Sequence, residues 1–534
     1  MINLWCTKNL VDSQHFLGRL FDMNLKTPEY HLNYFTDPFD IQADIVFLNS
    51  CGFISSGRDE ADATVKRLLK AGKTVYLMGC AVQYYKKLQK TGNSDKGIGN
   101  REMLKGVHYL SRGDMNTVNL KQIQQGYDST SYGDFQFTSS PRVYTNLEQK
   151  FEYLKIAEWC DNRCTFCIIP QIRGKLRSRT IPDIVKEVEN MITNWIKEII
   201  LIAQDTTRYG YDKYGKSALL TLLRRIDKIP GDFMYRILYL YPDVITLDHI
   251  KELKKLKKFI PYFDIPLQHI SSPVLKRMGR FSPQPQKEQV CLSDNQVKRS
   301  SFWWLRNAGD LRNNNFTWNE EIIDFENDSV YDEWYITKFL DQIKKSFPVR
   351  FIRTNLIIGF PGETEKDFEQ LMKFVATTKF DNIALFEYHD EPLAASSKLD
   401  KKVDDKVIRT RFTKIRQLVN RQLLDSEQAR KGKEEIWYIM EIEQVTGPMD
   451  SGCNTWCRND GQGGMTKKQG NKNKGTGTRN QEQATETMSV NLVVRPWLHC
   501  PEIDEYDEIS LEKVIGTYED KNELSVGDKI IYTV

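Results

Sequence analysis

Three cysteines within eight residues constrain this chain more than any other feature of its sequence. Cys160, Cys164 and Cys167 follow a C-x3-C-x2-C spacing. Three thiolates on one short loop suit an iron–sulfur cluster, because soft sulfur ligands favour such sites. A cubane cluster has four irons to ligate, so three thiolates leave one iron open to a substrate or cofactor. Zinc is the less favoured alternative, because it normally takes four protein ligands and no second CxxC pair lies nearby in the sequence.

Composition narrows the class of protein to which such a loop can belong. The 534 residues suffice for about three domains, and a hydrophobic share of 40% allows sizeable buried cores. Lys and Arg number 76 against 72 Asp and Glu, which excludes a nucleic-acid binder that depends on overall charge alone but leaves a local basic face open. Ten cysteines are too few for a disulfide scaffold, and clustered reduced thiols more often bind metal.

The sequence contains neither a predicted membrane span nor a predicted secretory signal. No apolar run approaches the roughly 18 residues that a membrane span needs. The first ten residues also lack the charged start and the apolar stretch of a secretory signal. We therefore expect a cytoplasmic protein that has no membrane partner.

The first 126 residues alternate short apolar runs with helical patterns, which favours a parallel α/β sheet. Strands are predicted over residues 2–5, 44–49 and 74–78. A helix is predicted over residues 12–21, with Asp12 or Ser13 as its N-cap. A cysteine lies just beyond each strand, namely Cys6, Cys51 and Cys80. Because the carboxyl ends of parallel strands meet at one edge of the sheet, we expect these three thiols to lie together.

A second series of strands and helices follows a polar stretch over residues 127–148, which is predicted to be a linker. Strands are predicted over residues 153–157, 198–203, 233–239, 262–265, 351–358 and 382–387. Helices such as 181–196 separate them, which indicates a partial (β/α) barrel with its chemistry at the carboxyl ends of the strands. A polar insertion over residues 281–335 interrupts this pattern.

The last predicted domain is a small β domain. Its predicted strands cover residues 435–442, 489–495 and 529–534. Short strands with glycine turns are typical of an OB-like barrel. Residues 448–489 are rich in Gly, Asn, Lys, Gln and Thr, a composition that predicts a disordered insertion. The predicted domains are residues 1–126, 145–427 and 428–534.

The cysteine segments resemble those of a known enzyme family. Residues 156–170, together with Arg173-Gly174 and Arg177-Ser178-Arg179, resemble the radical S-adenosylmethionine (SAM) motif of the methylthiotransferases. Residues 6–13, 49–54 and 78–80 resemble the three cysteine segments of that family's N-terminal domain. Further matching segments lie at residues 201–207, 264–269 and 358–365. The resemblance covers nearly the whole chain except the two insertions, and the last domain resembles a TRAM domain, a fold used for RNA binding.

This resemblance implies an enzyme with two 4Fe–4S clusters and with SAM as a further cofactor. The implied ligands are Cys160, Cys164 and Cys167 for the radical-SAM cluster, and Cys6, Cys51 and Cys80 for an auxiliary cluster that carries sulfur. Cleavage of SAM gives a radical that can open an unactivated C–H bond, which side-chain acids and bases cannot do. A second SAM would supply the methyl group, and a reductant such as flavodoxin or ferredoxin would supply the electron.

The resemblance leaves two candidate substrates, because members of this family modify either a ribosomal protein or tRNA. Lys8-Asn9 and Val11-Asp12-Ser13 resemble the RimO type, which adds a methylthio group to the β-carbon of an aspartate in small-ribosomal-subunit protein uS12. The alternative is the MiaB type, which modifies isopentenyladenosine in tRNA. A third hypothesis is a catalytically silent factor that binds the ribosome or RNA. We expect protein uS12 or the small ribosomal subunit as the partner, and we expect a monomer.

Residues at the ends of the predicted barrel strands are candidates for contacts with SAM. The glycine-rich turn at 359–363 would let SAM approach the backbone closely, and an ordinary strand-to-helix turn explains the same pattern. For Gln204 and Asp205 the alternative is capping of the next turn, and for Arg353 it is a surface salt bridge. The candidate cofactor-binding residues are Gln204, Asp205, Arg353, Gly359, Gly362 and Glu363.

The chain departs from the family pattern at a few positions. Trp5, Trp159 and Trp195 stand where the family usually has glycine, and the first two directly precede cluster cysteines. One hypothesis is that a reassigned stop codon meaning glycine was translated as tryptophan. Residues 390–394 also differ from the family's usual glutamate–glycine–threonine–proline stretch.

Overall fold

The computed structural model describes most of the first 430 residues and a set of strands beyond them. The described residues are 1–90 except 5, 28–31 and 36, then 106–129, 141–280 except 146, 148, 149, 243 and 246, then 333–430, 434–445, 489–496, 507–510, 514–515 and 529–533. Trp5, almost all of the insertion at 281–335 and the insertion at 448–488 lie outside this set. The chain divides into two compact units, Met1–Ala429 and Arg430–Val534. The division of the first unit into residues 1–126 and 145–427 stays a prediction.

A four-stranded parallel sheet forms the N-terminal part of the first unit. Its strands in spatial order are β1 (Ile2–Asn3), β2 (Ile45–Ser50), β3 (Thr74–Gly79) and β4 (Val107–Leu110). The helices that follow these strands are α1 (Thr7–Lys26), α2 (Ser55–Lys70), α3 (Cys80–Lys90) and α4 (Leu120–Gln124). The predicted parallel α/β arrangement is therefore confirmed, and β4 is a strand that the sequence pattern did not indicate.

Helix α1 begins earlier than the sequence pattern predicts. Its N-cap residue is Cys6, and the prediction of Asp12 or Ser13 as the N-cap is wrong. Both side chains are buried within the helix, where Asp12 forms ion pairs with Arg112 and Lys155. Polar residues favour a helix start when they compete for backbone N–H groups. Here distant cations bind the carboxylate instead, so the helix continues through it.

The central part of the first unit is a six-stranded parallel sheet. Its strands in spatial order are β12 (Asn382–Glu387), β11 (Phe351–Ile358), β10 (Phe259–Asp264), β9 (Met234–Ile237), β8 (Glu198–Ile202) and β5 (Phe151–Lys155). A two-stranded antiparallel ladder joins β6 (Ala157–Glu158) to β7 (Arg177–Ser178). The predicted partial (β/α) barrel is confirmed, with β11 and β12 at the predicted bounds.

Helices alternate with these strands and cover the sheet. They are α5 (Ile169–Ile172), α6 (Ile181–Thr193), α7 (Tyr211–Tyr214), α8 (Leu219–Asp227), α9 (Leu247–Leu253), α10 (Ser272–Arg277), α11 (Glu333–Ser346), α12 (Glu365–Thr378) and α13 (Asp405–Arg430). Every residue of β5, β8 and β10 is buried, as expected for parallel strands packed on both faces. Leu222 and Leu223 of α8 are fully buried in the same core, and each such side chain contributes about 1.5–3 kcal/mol to folding.

The predicted linker contains an ordered piece that packs onto α1. Arg142 donates hydrogen bonds to Gln14 and forms ion pairs with Glu152 (3.0 Å) and Glu187 (2.7 Å). A Cβ atom on Gly18 would lie 2.0 Å from the carbonyl oxygen of Pro141, so glycine is needed where the segment crosses the helix. The prediction that all of residues 127–148 form a linker is therefore wrong for residues 141–145, which buried charges fix in place.

The second unit contains an antiparallel sheet. Its strands in spatial order are β15 (Asp507–Ser510), β14 (Ser489–Pro496), β13 (Glu434–Val445), β17 (Lys529–Thr533) and β16 (Val514–Ile515). The three predicted strands are confirmed, while the OB-like barrel and the TRAM resemblance stay predictions. In the part of the chain that is described, no helix is both long and apolar enough to cross a bilayer.

Candidate functional site

The three early cysteines lie at the carboxyl edge of the N-terminal sheet. Cys6 is the N-cap of α1, Cys51 follows β2 directly, and Cys80 is the first residue of α3. Burial, followed by the charges of Cys6 and Cys80, raises the pKa of Cys51 to about 11. Because β1, β2 and β3 are neighbouring parallel strands, the three thiols lie at the same edge of the sheet.

Two glycines make this close approach of the cysteine loops possible. A Cβ atom on Gly52 would lie 2.4 Å from the carbonyl oxygen of Cys80. A Cβ atom on Gly79 would lie 2.0 Å from Oδ1 of Asn49, and the Gly79 φ of 83° also favours glycine. Any larger residue at either position would push the Cys51 and Cys80 loops apart.

The three cysteines of the C-x3-C-x2-C motif lie on the loop between β6 and α5. Cys164 Sγ is 2.9 Å from the Tyr241 hydroxyl, and the Cys167 N–H donates to the Cys164 carbonyl (3.0 Å). Burial raises the pKa of Cys160 well above its usual range, and the nearby charges of Asp205, Cys164 and Cys167 act in the same direction. Burial, followed by the Cys164 charge, raises the pKa of Cys167 to about 12, although the Arg280 charge opposes this shift.

The donor chemistry of both trios fits iron–sulfur clusters. Neutral thiols in buried places become thiolates when iron displaces their protons. Among the described residues, no group of three or more His, Cys, Asp or Glu side chains is arranged to hold a single metal ion. A cubane cluster has a different requirement, because each thiolate binds its own iron and the sulfurs stand apart. Two sets of three cysteines, all buried or half-buried and all outside disulfides, supply the thiol ligands that such clusters use.

The two cysteine trios lie on neighbouring elements. Ile168 and Ile172 pack in one hydrophobic cluster with Cys80, so the loop after Cys167 lies against α3. Arg173, at the end of α5, donates a hydrogen bond from Nε to Cys80 Sγ (2.8 Å). In addition, the ammonium of Lys8 in α1 lies 3.4 Å from the ring centre of Tyr239 in the barrel. Side chains therefore bridge the N-terminal sheet and the barrel next to the cysteines.

A cluster of buried charges lies between the N-terminal sheet and the barrel. Lys155 and Glu158 of the barrel meet Asp12 and Arg112 of the N-terminal part, and Arg173 completes the group. All five side chains are at least nine-tenths buried. Burial alone would raise the pKa of Glu158, but the charges of Arg112, Lys155 and Arg173 hold that pKa well below its usual range. We call these five residues the buried charge cluster.

Two of the predicted SAM-contact residues lie beside the C-x3-C-x2-C loop. Asn162 of that loop donates from Nδ2 to Asp205 (2.7 Å), and Asp205 also accepts from the backbone N–H of Thr207 (3.0 Å). The carboxylate therefore caps the following turn and holds the cysteine loop as well. Gln204 Oε1 is buried, and within the described residues it accepts no hydrogen bond, which leaves it available to a ligand.

Arg353 lies inside the barrel and not on the protein surface. Its Nη1 forms an ion pair with Asp264 (2.9 Å) and donates to Asn355 (3.2 Å), and its side chain is 17% exposed. The other oxygen of Asp264 accepts from the Tyr239 N–H (3.0 Å). The alternative of a salt bridge is therefore confirmed, but its predicted surface position is wrong, because the pair is largely buried between β10 and β11.

The predicted glycine-rich turn after β11 is held by contacts within the chain. Gly359 and Gly362 have φ angles of 81° and 91°, which glycine adopts without strain. Glu363 accepts the Gly359 N–H (2.8 Å) and pairs with Arg411 (2.8 Å). Thr364 is the N-cap of α12, in a capping box with its third residue. These contacts explain the turn by themselves, so the SAM role of its residues stays a prediction.

Several residues near the trios were missed by sequence reasoning. Tyr241 contacts Cys164, and Arg280 stacks on the Tyr241 ring at 3.6 Å. In the unusual segment at 390–394, Glu391 pairs with Arg58 at 2.7 Å. The motif residues could be found from their spacing, but no signal in one sequence reveals contacts between residues so far apart.

Trp159 and Trp195 both adopt backbone conformations that favour glycine. Their φ angles are 67° and 63°. Trp159 is 3% exposed, and the Arg177 guanidinium lies 4.7 Å from the centre of its ring, whereas Trp195 is 72% exposed. The backbone at both positions therefore agrees with the glycines that the family pattern has there.

Comparison with known proteins identifies the family to which this chain belongs. Residues 154–289 match the Radical SAM superfamily, and residues 1–98 match the Uncharacterized protein family UPF0004. The ribosomal protein uS12 methylthiotransferase RimO of Dictyoglomus thermophilum is 33% identical over 413 residues, which cover 76% of this chain and 78% of that protein. The protein of that name from Alkaliphilus oremlandii is 35% identical over 434 residues, which cover 80% of this chain and 83% of that protein.

Solved structures add little to these relatives. The radical SAM methyltransferase TsrM of Kitasatospora setae is 11% identical, with a TM-score of 0.43 over 70% of each chain, and a likeness of this size is too weak to assign a fold or an activity. The curated relatives are more than 30% identical over most of both chains. This chain therefore belongs to the RimO family of radical-SAM methylthiotransferases, and SAM and 4Fe–4S clusters are its cofactors.

Proposed function

We propose that this enzyme adds a methylthio group to the β-carbon of an aspartate in ribosomal protein uS12. The observation that carries the proposal is the pair of cysteine trios on neighbouring elements, in a chain whose curated relatives bear the uS12 methylthiotransferase name. The MiaB-type alternative, with tRNA as the substrate, receives no support from these relatives. The hypothesis of a silent binding factor is opposed by the intact sets of cysteines.

The chain's own residues would hold the two clusters that supply the reacting groups. Cys160, Cys164 and Cys167 would bind the cluster at which SAM supplies a radical, and Cys6, Cys51 and Cys80 would bind the auxiliary cluster that supplies sulfur. Buried contacts hold the backbone next to both trios, which would keep the reacting groups close and would limit the access of water.

The residues proposed to contact SAM fall into three groups according to the contacts that they already make within the chain. Gln204 Oε1 is buried and accepts no hydrogen bond within the described residues, and this supports a contact with a SAM donor group. Asp205 and Arg353 already have charged or amide partners, so they would orient the site through those partners. Residues 359–363, which include Gly359, Gly362 and Glu363, would shape the turn beside the cofactor.

Three further properties belong to the same proposal. We infer a flavodoxin- or ferredoxin-type reductant, because cleavage of SAM needs one electron from outside the chain. We also infer a cytoplasmic site of action, since the proposed substrate is a ribosomal protein. The enzyme is proposed to act as a monomer.

The experiment is expression of this chain in a bacterial host that lacks its own uS12-modifying enzyme. We expect mass spectrometry of uS12 peptides to show a methylthio group on one aspartate. The Cys80→Ser and Cys164→Ser variants serve as controls, and each should abolish the modification. Nucleoside analysis of tRNA from the same cells tests the alternative substrate. Methylthiolated nucleosides without modified uS12 would overturn the proposal.

A count of bound iron distinguishes the enzyme from a silent factor. Two 4Fe–4S clusters correspond to about eight irons per chain after anaerobic reconstitution. The Cys80→Ser variant should retain the radical-SAM cluster, and the Cys164→Ser variant the auxiliary cluster. A wild-type chain that binds about four irons or none would favour the silent factor.

A further inference from the structure

Arg173 lies between the two cysteine trios and contacts the sulfur of one of them. It is the residue after α5, on the segment that follows the C-x3-C-x2-C loop, and it is 6% exposed. Its Nε donates to Cys80 Sγ (2.8 Å) and its Nη2 donates to Asn9 Oδ1 (2.6 Å). Its Nη1 lies 3.3 Å from Glu158 Oε2. One guanidinium therefore joins an early cysteine to a carboxylate of β6, the strand that leads into the motif loop.

The neighbouring carboxylates are paired mainly with Arg112 and Lys155, so the positive charge of Arg173 is available to the Cys80 sulfur. The buried charge cluster contains three cations, Arg112, Lys155 and Arg173, and two carboxylates, Asp12 and Glu158. Arg112 and Lys155 each pair with both carboxylates, whereas the ion pair of Arg173 is with Glu158, at the longer distance of 3.3 Å. The remaining positive charge is therefore directed at the Cys80 sulfur, at a hydrogen-bonding distance.

A buried cation that donates to a ligand sulfur changes the electronic properties of an iron–sulfur cluster. Hydrogen bonds to the sulfurs and nearby charge are among the main determinants of the reduction potential of such clusters. Both act strongly in a buried place, because water does not screen them. A positive charge stabilises the reduced cluster, which carries one more negative charge, and so raises its potential.

We propose that Arg173 is a positioning residue for the auxiliary cluster. Through its Nε–H bond to the Cys80 sulfur it raises the reduction potential of the cluster that Cys6, Cys51 and Cys80 hold, and it fixes that sulfur against the radical-SAM loop. This inference rests on the proposed assignment of the early trio to the auxiliary cluster.

A second buried arginine provides a matched comparison at the other trio. Arg280 is 1% exposed, and its Nη1 lies 3.8 Å from Cys164 Sγ, a much longer contact than that of Arg173. Its Nη2 donates to the Pro266 carbonyl, and its guanidinium stacks on Tyr241. Replacing Arg280 therefore removes a buried cation of the same kind without touching the early trio.

The experiment uses a full-length background in which Cys160, Cys164 and Cys167 are changed to alanine, so that all bound iron belongs to the early trio. The protein is reconstituted anaerobically, and the midpoint potential of its cluster is measured by a redox titration followed by EPR. We expect Arg173→Gln to shift this potential to a more negative value. Arg173→Lys should shift it less, because the charge remains while the guanidinium geometry is lost. Arg280→Gln should leave it unchanged.

Each outcome decides a different question. A midpoint potential of the Arg173→Gln protein equal to that of the background would overturn the inference, as would an equal shift in the Arg280→Gln protein. If the Arg173→Gln protein binds no iron, the Arg173→Lys protein is measured in its place. A midpoint potential below that of the background supports the inference, and a potential equal to that of the background overturns it. A background protein that binds no iron would overturn the proposed auxiliary site itself.

Discussion

At the scale of single residues, the surroundings of a buried side chain determine its protonation state, as His269 shows. His269 is fully buried after β10; its Nδ1 accepts the Ser271 N–H (3.0 Å), and its Nε2 lies 3.6 Å from Glu363. Burial lowers the pKa of His269 to about 3, although the Asp367 charge opposes this shift and the Arg411 charge adds to it. The ring is therefore neutral at physiological pH and supports the turn after β11.

The neutral state of His269 predicts a loss of stability in mild acid. An unfolded chain protonates this ring below its ordinary pKa of about 6.5, whereas the folded chain does not, so stability falls as pH falls through that value. Between pH of about 7.5 and about 5 this single ring should cost about 2 kcal/mol of unfolding free energy. Urea unfolding of the cluster-free protein, followed by circular dichroism, measures it.

The control for this prediction is His269→Asn, because an asparagine oxygen can accept the same Ser271 N–H. Its unfolding free energy should depend less on pH than that of the parent protein in the acidic range. Above the ordinary pKa of histidine, about 6.5, the difference between variant and parent should stay constant. Equal slopes for variant and parent over the acidic range would contradict the assignment of a neutral buried ring.

Among the secondary-structure elements, the end of α6 shows why glycine is expected at position 195. Asn194 is the C-cap, the Trp195 N–H donates to the Ile192 carbonyl (3.0 Å), and the Ile196 N–H donates to the Met191 carbonyl (3.1 Å). This hydrogen-bond pair defines a Schellman motif, whose first residue past the C-cap is left-handed and usually glycine. Trp195 occupies that position with a φ of 63°.

Trp195→Gly should therefore stabilise the protein. The left-handed conformation costs a non-glycine residue about 1–2 kcal/mol, and the exposed ring contributes little packing in return. Trp195→Ala removes the same ring but keeps the Cβ atom, so it isolates the backbone effect and should gain much less. Urea unfolding of the three proteins measures this, and equal stabilities for the glycine and alanine variants would contradict it.

The same backbone conformation bears on the genetic-code hypothesis. Trp159 and Trp195 both take left-handed φ angles, so glycine translated from a reassigned stop codon fits the fold at these positions. The hypothesis predicts glycine at both positions in protein purified from its native cells. Mass spectrometry of the peptides that contain them decides, and tryptophan at both would refute the hypothesis.

At the scale of the whole molecule, the buried charge cluster joins two parts of the first unit that are far apart in the sequence. Asp12 and Lys155 are 143 residues apart in the sequence and form a direct ion pair, and Arg112 reaches Glu158 at 2.7 Å. All the side chains of the cluster are buried, so water and salt screen these charges little. The cluster therefore ties the N-terminal sheet to the barrel.

Glu158→Gln tests how strongly this cluster holds the two sheets together. The change leaves Arg112, Lys155 and Arg173 with a single carboxylate, and removing one partner of a buried ion pair typically costs about 3–5 kcal/mol. Because the pKa of Glu158 lies well below its usual range, its stabilisation is present above the ordinary pKa of a glutamate and is lost as pH falls through the lower, folded-state pKa. Urea unfolding at neutral pH measures the loss.

Limited proteolysis gives a second measurement on the same variant. We expect faster cleavage of the Glu158→Gln protein in the segment that joins the two sheets, because they separate more easily. Glu252→Gln is the control, since Glu252 pairs with Arg224 and Lys255 at the surface, and it should leave stability and cleavage nearly unchanged. Equal cleavage of the parent and both variants would contradict the role of the cluster.

Local patterning was enough to predict the alternation of strands and helices, the parallel sheets and the positions of the cysteines at strand ends. These features follow from hydrophobic periodicity and from spacing, which need no knowledge of distant partners. The bounds of β11 and β12 were predicted correctly for the same reason.

Only the tertiary structure shows which charged residues are buried in the protein core. Asp12 was predicted as a possible helix cap, Arg142 as part of a linker, and Arg353 as a SAM contact or half of a surface salt bridge. Each instead has buried ion-pair partners from distant segments. The contact of Arg173 with Cys80 spans 93 residues. A buried charge is stable only where opposite charges or hydrogen-bond partners surround it, and those partners come together only when the chain has folded.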